Sequence, residues 1–218
     1  MERSSSGSLT VHFCAPAAGE VALATEIVRA GNRVTHATAR VTSGEEARKV
    51  ATIASASFCK DRPDAHAYQH AAMPEVAGAA AVPSLPDGIP GLPPFFQHFD
   101  VRFVGPTLPF SGANEPNVAA WIRLREPSPI DAPLAALLLD VLPPGITALF
   151  DGGRPTASVD FTIQLFTRPS SLALDPEAHL LVTIRSRWAG DGYTEEVRDL
   201  WSPSGVLIGQ CRQLLALL

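Results

Sequence analysis

Short segments in which apolar residues alternate with polar ones occur near both ends of the chain. Residues 8–13 are apolar at every second position, and residues 159–165 show the same alternation. A period of two residues is typical of a β-strand that buries one face and exposes the other. The pattern therefore predicts that each end of the chain contributes strands to an antiparallel sheet.

The two ends also repeat the same order of strands and turns. The corresponding positions are Gly31 and residues 190–192, Gly44 and Gly205, and residues 50–52 and 208–210. Continuing this correspondence matches Ser55 with Gln213. The repeat predicts two similar sheets placed side by side, with any site formed between them.

A proline-rich stretch lies between the two repeats. Residues 59–94 contain seven of the 20 prolines of the chain. Proline lacks a backbone donor and fixes φ, which excludes a central strand or a long helix here. We predict a linker that crosses the surface between an incomplete unit at residues 1–58 and a complete unit at residues 95–218.

One helix is predicted, within the second unit. It covers about residues 131–141 and follows two strand candidates at residues 99–103 and 118–124. Asp131 is suited to cap its N-terminus. An apolar stripe at helical spacing is formed by Leu134, Leu137, Leu138 and Val141. The second unit is therefore expected to be a sheet wrapped around one helix.

The first unit is expected to lack an equivalent helix, because only seven residues precede Ser8 in this sequence. Its sheet should then expose a large apolar patch, which soluble monomers rarely do. Three candidates can cover this patch: the segment 71–94, the other unit, or a second copy of the chain. We expect self-association, and a homodimer is favoured because an isologous contact closes.

Composition and charge exclude several partners. Hydrophobic residues make up 46% of the chain and charged residues 18%, with a net charge of −5 and scattered arginines, so a globular protein without a nucleic-acid partner is expected.

Cys14, Cys59 and Cys211 show no metal-ligand spacing, so no metal site or disulfide framework is predicted. No stretch approaches the roughly 18 apolar residues of a membrane span, so we expect a soluble, cytoplasmic protein without a membrane partner.

Common catalytic motifs are missing from the sequence. It contains no Gly-x-Ser-x-Gly elbow, P-loop, dinucleotide glycine fingerprint or His-Glu-x-x-His, so the corresponding hydrolase, NTPase, dehydrogenase and metalloprotease functions have no support. Asp61 and His66 have the Asp-x4-His spacing of hot-dog hydratases. Pro63 lies where the hydratase motif would not have it, and the spacing is easily met by chance.

Asp140 interrupts an apolar run at the end of the predicted helix. The helix dipole disfavours an anion at this end, and burial without partners adds a further cost. Two interpretations follow. Asp140 is either a solvated residue on the outer face of the helix, beside Ala136 and Pro133, or a base in a polar pocket.

Candidate partners for Asp140 lie on the strands expected to pack against the helix. Gln213 interrupts the final apolar run, and Ser158 opens the strand after the helix, with Thr156 as its neighbour. Each alone is well explained as a polar residue at the rim of the fold. Together with Asp140 they form a carboxylate, an amide and a hydroxyl, a set suited to hold and deprotonate a water beside a carbonyl.

Segments spread over nearly the whole chain resemble motifs of one known family. They are Trp121-Ile122-Arg123, Leu139-Asp140-Val141-Leu142-Pro143-Pro144, residues 158–165, Arg168-Pro169, residues 206–213, residues 8–13, Arg29-Ala30-Gly31 and residues 50–58. In these segments the chain resembles the double hot-dog acyl-CoA thioesterases related to bacterial thioesterase II. The resemblance implies an α+β double hot-dog fold, with antiparallel sheets wrapped around a helix and an N-terminal unit that lacks its central helix.

The resemblance also implies a catalytic triad and a reaction. Asp140 matches the family's helix aspartate and Gln213 its last-strand glutamine, while Ser158 stands where many members have threonine. Thr156 and Thr162 are the alternatives for this hydroxyl. Asp140 would activate a water, Gln213 and Ser158 would position it, and backbone N–H groups would polarise the carbonyl of an acyl-CoA.

The implied reaction hydrolyses acyl-CoA, the substrate partner, to a carboxylic acid and CoA. No metal or redox cofactor is implied. Two alternatives stay open: a non-catalytic hot-dog protein that binds acyl chains or serves in an assembly, and a thioesterase that acts on carrier-protein thioesters. Convergence of Asp140, Gln213 and Ser158 at one pocket would favour an enzyme over a binding protein.

Overall fold

The computed structural model describes residues 6–44, 49–63, 66–89, 92–105 and 107–218, and these form ten strands and one α-helix. The elements in chain order are β1 (Ser6–Phe13), β2 (Val21–Ala30), β3 (Val34–Ser43), β4 (Lys49–Cys59), β5 (Phe99–Val104), β6 (Asn117–Leu124), α1 (Ala132–Val141), β7 (Thr156–Leu165), β8 (Leu180–Gly190), β9 (Tyr193–Trp201) and β10 (Leu207–Leu217). The alternating segments at both ends are strands, as predicted.

All ten strands belong to one antiparallel sheet. Its order is β2-β3-β4-β1-β7-β10-β9-β8-β6-β5. The two similar sheets expected side by side are joined into one, because β1 pairs with β4 along one edge and with β7 along the other, placing Leu9 opposite Ile163. Pairing between β1 and β7 satisfies two strand edges that would otherwise be exposed.

The repeat is visible in the order of the strands. We call β1–β4 the N-terminal half and β5–β10 with α1 the C-terminal half. Outward from the central β1–β7 pair, the N-terminal half runs β4, β3, β2 and the C-terminal half runs β10, β9, β8. The C-terminal half then adds β6 and β5, whereas the N-terminal half ends at β2. This is the predicted α+β fold with one helix, in the C-terminal half.

Helix α1 begins and ends as its sequence predicts. The Asp131 side chain caps it by accepting a bond from the Leu134 N–H at 3.0 Å, and Pro143 and Pro144 follow its end. One residue of the predicted stripe is wrongly placed: Leu137 is 45% exposed, and Leu139 is buried instead. The helix packs against β9 and β10, and this contact determines which arc is buried.

The apolar run through α1 corrects one expectation from the sequence. Residues Ala132–Leu149 have the length and hydropathy of a membrane span, with a mean hydropathy of 1.6, and 56% of the window is buried within the fold. In the structure the run is divided between α1 and a short 3-10 turn, Gly145–Leu149. It therefore forms part of the core of the C-terminal half.

The two faces of the sheet in the C-terminal half have different covers. Ala120 and Ile122 pack with α1, so we call this side the helix face. Trp121 points to the opposite side, the outer face, where it packs with Leu181 and Trp201. Neighbouring strand residues alternate between faces, which explains this division.

Residues 73–82 of the proline-rich linker lie on the outer face of the C-terminal half, while Leu85 and Leu92 pack against the core on the helix face. Trp121 Nε1 donates to the Ala77 carbonyl at 2.8 Å, and Arg102 donates to the Ala79 carbonyl at 2.8 Å. Met73, Val76 and Val82 pack against the apolar cluster there. Of the three candidate covers for the N-terminal sheet, this part of the linker is therefore excluded.

The N-terminal half remains open. Every residue of β2 is exposed, including the apolar side chains of Val21, Leu23, Ile27 and Val28. Near the centre of the sheet the other half gives partial cover, because Leu9 and Val11 pack against the C-terminal core. The predicted apolar patch is present on the outermost strands.

Candidate active site

Three of the polar side chains buried on the helix face of β9 and β10 form one network. Glu196 is 0% exposed, Arg198 1% and Gln213 2%. Glu196 lies directly opposite Gln213 across the two strands, so strand pairing brings their side chains together. Polar groups at this depth require hydrogen-bond partners, which each of them has.

Glu196 is the centre of this network. Gln213 Nε2 and Arg198 Nε both donate to Glu196 Oε1, each at 2.6 Å. The Gly145 N–H donates to Glu196 Oε2 at 2.8 Å, and a terminal nitrogen of Arg198 donates to the Leu139 carbonyl at 2.8 Å. The network thus ties β9 and β10 to the end of α1 and to the turn that follows it.

Ser158 is bonded to the same network. Its Oγ donates to Gln213 Oε1 at 3.2 Å. Because the Gln213 amide nitrogen already donates to the Glu196 carboxylate, the amide oxygen is directed at Ser158. The hydroxyl and the amide predicted as partners are therefore in direct contact.

A β-bulge places Ser158 on the helix face. Leu214 lies opposite Asp160 and the next residue, Leu215, lies opposite Ser158, so Val159 is an extra residue in β7. In a regular strand Ser158 would point to the same face as Asp160, because side chains alternate. The bulge reverses that side chain, a use of bulges often found beside active sites.

The two alternative hydroxyls occupy other positions. Thr162 lies opposite Arg212 on the outer face, and its Oγ1 donates to Thr10 Oγ1 at 3.3 Å. Thr156 lies opposite Leu217, two residue pairs beyond the Ser158 position. Among the three, Ser158 is the one bonded to Gln213 in the described part of the chain.

Asp140 lies at the end of α1, directly after Leu139, whose carbonyl accepts the bond from Arg198. One side of Asp140 is open to solvent, while protein atoms crowd the carboxylate from the other. This desolvation raises the pKa of Asp140; the Arg198 charge opposes the rise and the Glu196 charge adds to it. Among the described residues no hydrogen bond joins the exposed Asp140 to Ser158 or Gln213, so the structure brings two of the three predicted residues into direct contact, and the charges of Arg198 and Glu196 act on the third.

Cys211 lies beside this network on β10. It is fully buried and lies opposite Arg198. Burial raises the pKa of its thiol well above the usual range, and the Asp140 and Glu196 charges act in the same direction. A neutral thiol is a poor nucleophile, so Cys211 is part of the wall of the site.

Two sequence-based correspondences fail in the structure. Asp61 of the hydratase-like spacing is a surface residue with a 72% exposed side chain, and its carboxylate pairs with Arg168 at 3.0 Å. Ser55 lies opposite Thr10 on the outer face of β4, whereas Gln213 points to the helix face. The strand register shifts the repeat by one residue, so Ala56 corresponds to Gln213.

Glu196 and Arg198 were missed by reasoning from the sequence. In residues 193–201 they alternate with Glu195, Val197 and Asp199, a pattern in which both faces carry charge. The only signal for a buried role is their register opposite Gln213 and Cys211, which becomes visible once the strands are paired. The described residues contain no cluster of three or more His, Cys, Asp or Glu side chains suited to a metal.

Two family models together match most of the chain. The model of the acyl-CoA thioesterase C-terminal domain matches residues 69–217, and that of the N-terminal domain matches residues 2–59. The chain belongs to the acyl-CoA thioesterase family, whose members are thioester hydrolases. A comparison with curated proteins gave no match.

Solved structures share the fold over the whole chain. A conserved hot-dog-fold protein of Alicyclobacillus acidocaldarius is 26% identical with a TM-score of 0.87, covering 100% of this chain and 80% of the other. A predicted thioesterase II of Thermobifida fusca is 23% identical with a TM-score of 0.78, covering 99% and 79%. The acyl-CoA thioesterase II TesB2 of Mycobacterium marinum is 19% identical with a TM-score of 0.71, covering 100% and 82%. These likenesses identify the fold as a double hot-dog.

Proposed function

We propose that this protein hydrolyses acyl-CoA to a free carboxylic acid and CoA at a site formed by Asp140, Ser158 and Gln213. The observation that carries the proposal is the bond from Ser158 to Gln213, which is anchored on buried Glu196 beside the end of α1. An amide and a hydroxyl held in this way next to a carboxylate are suited to bind one water. The family membership supplies the thioester as the bond to be broken.

In the proposed reaction Asp140 is the general base. Its carboxylate takes a proton from the water while the water oxygen attacks the thioester carbonyl carbon. The tetrahedral intermediate then collapses, the carbon–sulfur bond breaks, and the CoA sulfur leaves with a proton. Burial raises the pKa of Asp140 above its ordinary value, and this makes the carboxylate a stronger base near neutral pH.

Ser158 holds the water directly, and Gln213 fixes the direction of the Ser158 hydroxyl. The Ser158 proton is donated to Gln213 Oε1, so the Ser158 oxygen keeps lone pairs that accept a water O–H. A second water O–H remains directed at Asp140. This arrangement leaves an oxygen lone pair of the water free to attack, and alignment of that kind accelerates an intramolecular reaction strongly.

Release of free thiol from a series of acyl-CoA lengths tests the proposal. We expect turnover with at least one acyl-CoA, a large loss in Ser158→Ala, and normal activity in Thr162→Ala, whose hydroxyl lies on the outer face. The same acyl groups on a carrier protein should be hydrolysed more slowly. Equal losses in both variants, or binding of acyl-CoA without turnover, would contradict the proposal.

The proposal extends to a cytoplasmic homodimer. The chain exposes 12803 Å², whereas a compact monomer of its mass exposes about 9,700 Å². The excess is larger than the roughly 800 Å² that each partner buries in a standard interface. Antiparallel pairing of β2 with β2 of a second copy, centred on Thr25, would place Leu23 opposite Ile27.

Analytical ultracentrifugation tests the dimer over a range of concentrations. We expect dimers for the natural chain and monomers for Leu23→Arg, because the arginine would lie in the proposed strand pairing. Leu137→Arg is a matched control, since Leu137 is also exposed but lies on α1. A monomer at all concentrations, or an effect of Leu137→Arg equal to that of Leu23→Arg, would contradict a dimer through β2.

A further inference from the structure

We infer that Glu196 and Arg198 are positioning residues for thioester hydrolysis, with Glu196 orienting the Gln213 amide and Arg198 orienting the end of α1 that carries Asp140. The inference rests on the proposed function, because it assigns a purpose to groups around the same site. Neither residue is assigned a contact with substrate. Both act through a neighbouring side chain or backbone group.

Stability alone is a weak reason for this ion pair. Taking two charges out of water costs free energy that their attraction often only offsets, so a buried pair contributes little net stability compared with apolar residues of similar size. Both side chains are nevertheless almost completely buried, and besides the bond between them they contact Gln213, the Leu139 carbonyl in α1 and the Gly145 N–H in the turn that follows α1. The geometry therefore favours a role in arranging the site.

Glu196 determines which end of the Gln213 amide faces Ser158. A carboxylate only accepts hydrogen bonds, so the amide must present its nitrogen to Glu196 and its oxygen to Ser158. If the Glu196 side chain were a neutral amide, either orientation of Gln213 would be acceptable. Only the present orientation gives the Ser158 O–H an acceptor at Gln213 and leaves the Ser158 oxygen free to accept from the water.

Arg198 acts on Asp140 in two ways. Its bond to the Leu139 carbonyl holds the last turn of α1, where carbonyl groups lack partners within the helix. Its positive charge also stabilises the Asp140 carboxylate. The charged or titratable groups that face Asp140 are Arg198 and Glu196 from β9 and Cys211 from β10, together with the negative end of the α1 dipole.

The two charges should shift the titration of Asp140 in opposite directions. In Glu196→Gln a negative neighbour is lost, so the pKa of Asp140 should fall; in Arg198→Met a positive neighbour is lost, so it should rise. The acid limb of kcat/KM should follow these shifts. Both variants should also lose about 10²-fold in kcat, the loss typical when a group at the reacting centre is misplaced.

Glu195→Gln is the matched control. Glu195 precedes Glu196 on β9, points to the outer face and pairs there with Arg187 at 3.2 Å and Arg212 at 3.3 Å. It should keep the natural kcat and pH profile. The double variant Glu196→Gln with Arg198→Met removes both charges together, and it supplies a second sample if either single variant fails to fold. The acid limb of its kcat/KM profile should lie between those of the two single variants.

The experiment combines pH profiles with titration of Asp140 by NMR of carboxyl carbons. Opposite shifts in the single variants, or an intermediate value in the double variant, together with loss of kcat and an unchanged control, support the inference. Equal losses in all variants with an unchanged titration would overturn it and return the pair to a structural role. If the natural protein hydrolyses no thioester, the proposed function fails and the NMR titration alone decides whether the charges act on Asp140.

Discussion

The two halves of the sheet share one strand order but differ on the helix face. In the C-terminal half the row across β10 and β9 consists of Gln213 and Glu196, while the equivalent row across β4 and β3 consists of Ala56 and Ala37. The neighbouring rows on the same face of the N-terminal half do not provide an equivalent polar pair either. One consists of Ala54 and Ala39, and the other of Phe58 and Thr35, in which Thr35 is the one polar residue. The backbone is repeated without the side chains of the site.

This difference indicates that the candidate site requires both the sheet and the helix that covers it. A polar row buried on the helix face needs donors and acceptors from the element that covers it, and in the C-terminal half Gly145 and Leu139 provide them. The N-terminal half has no such cover among its described residues, and its row is formed by alanine. The described part of the chain therefore carries one candidate site on two related halves of a single sheet.

Asp140→Asn should have the largest effect on this comparison, because it removes the proposed base. We expect turnover to fall by about 10²- to 10⁴-fold. Stability at pH 7 should stay equal or rise: the folded-state pKa of Asp140 is raised, so its charge destabilises the fold above that pKa. Thiol release and thermal unfolding measured on one sample check both parts, and an active Asp140→Asn would return Asp140 to a solvated residue.

Gln213→Ala makes the C-terminal row resemble the N-terminal one and should have the next largest effect. Loss of the amide leaves Ser158 without its acceptor and Glu196 without one of its donors, so the hydroxyl that holds the water is no longer directed. We expect about a 10²-fold loss in kcat and a destabilisation of about 1–3 kcal/mol. Chemical denaturation and steady-state kinetics measure these.

The reciprocal change, Ala56→Gln, is the control for that comparison. It places an amide in the N-terminal half, where no helix end completes a site, so neither kcat nor the number of acyl-CoA molecules bound per chain should change. If the double variant Ala56→Gln with Gln213→Ala were more active than Gln213→Ala alone, the amide in the N-terminal half would have formed a second site, which contradicts this comparison.

The pH dependence of the natural protein should show a smaller effect. Asp140 must be ionised to act as a base, so kcat/KM should fall as the pH drops through its pKa. Because burial raises that pKa, the acid limb should lie above the ordinary value of 3.8 for aspartate. A profile that stays flat down to pH 4 would argue against Asp140 as the base.

Ser158→Thr should have the smallest effect of the series. Threonine retains the hydroxyl that donates to Gln213, and its extra methyl group suits a strand. We expect activity close to that of the natural chain. If Ser158→Thr were as inactive as Ser158→Ala, packing at the bulge would matter more than the hydroxyl.

The sequence predicted the local features of the molecule well. Alternation predicted the strands at both ends, proline predicted the absence of a strand or long helix from the described residues of 60–93, and Asp131 predicted the start of α1. These three features depend on residues that are close in the chain. Gln213 was singled out because it interrupts the final apolar run and Ser158 because it opens the strand after the helix, and the structure places them in contact.

What the sequence did not predict depends on long-range pairing. The union of the two sheets requires β1 to pair with β7, about 150 residues away along the chain. The burial of Glu196 and Arg198 depends on which face of β9 receives α1, and both faces of that strand carry charge. The face of Ser55 depends on the register of β4 against β1, which the repeat alone fixed incorrectly.

A crystal structure with a non-hydrolysable thioether analogue of acyl-CoA tests the central claim most directly. We predict one analogue per chain, with the carbon that replaces the carbonyl beside Ser158, Gln213 and Asp140 on the helix face of the C-terminal half. An analogue bound to the N-terminal half, or in the polar groove on the outer face that contains Asp160 and Arg212, would contradict the account.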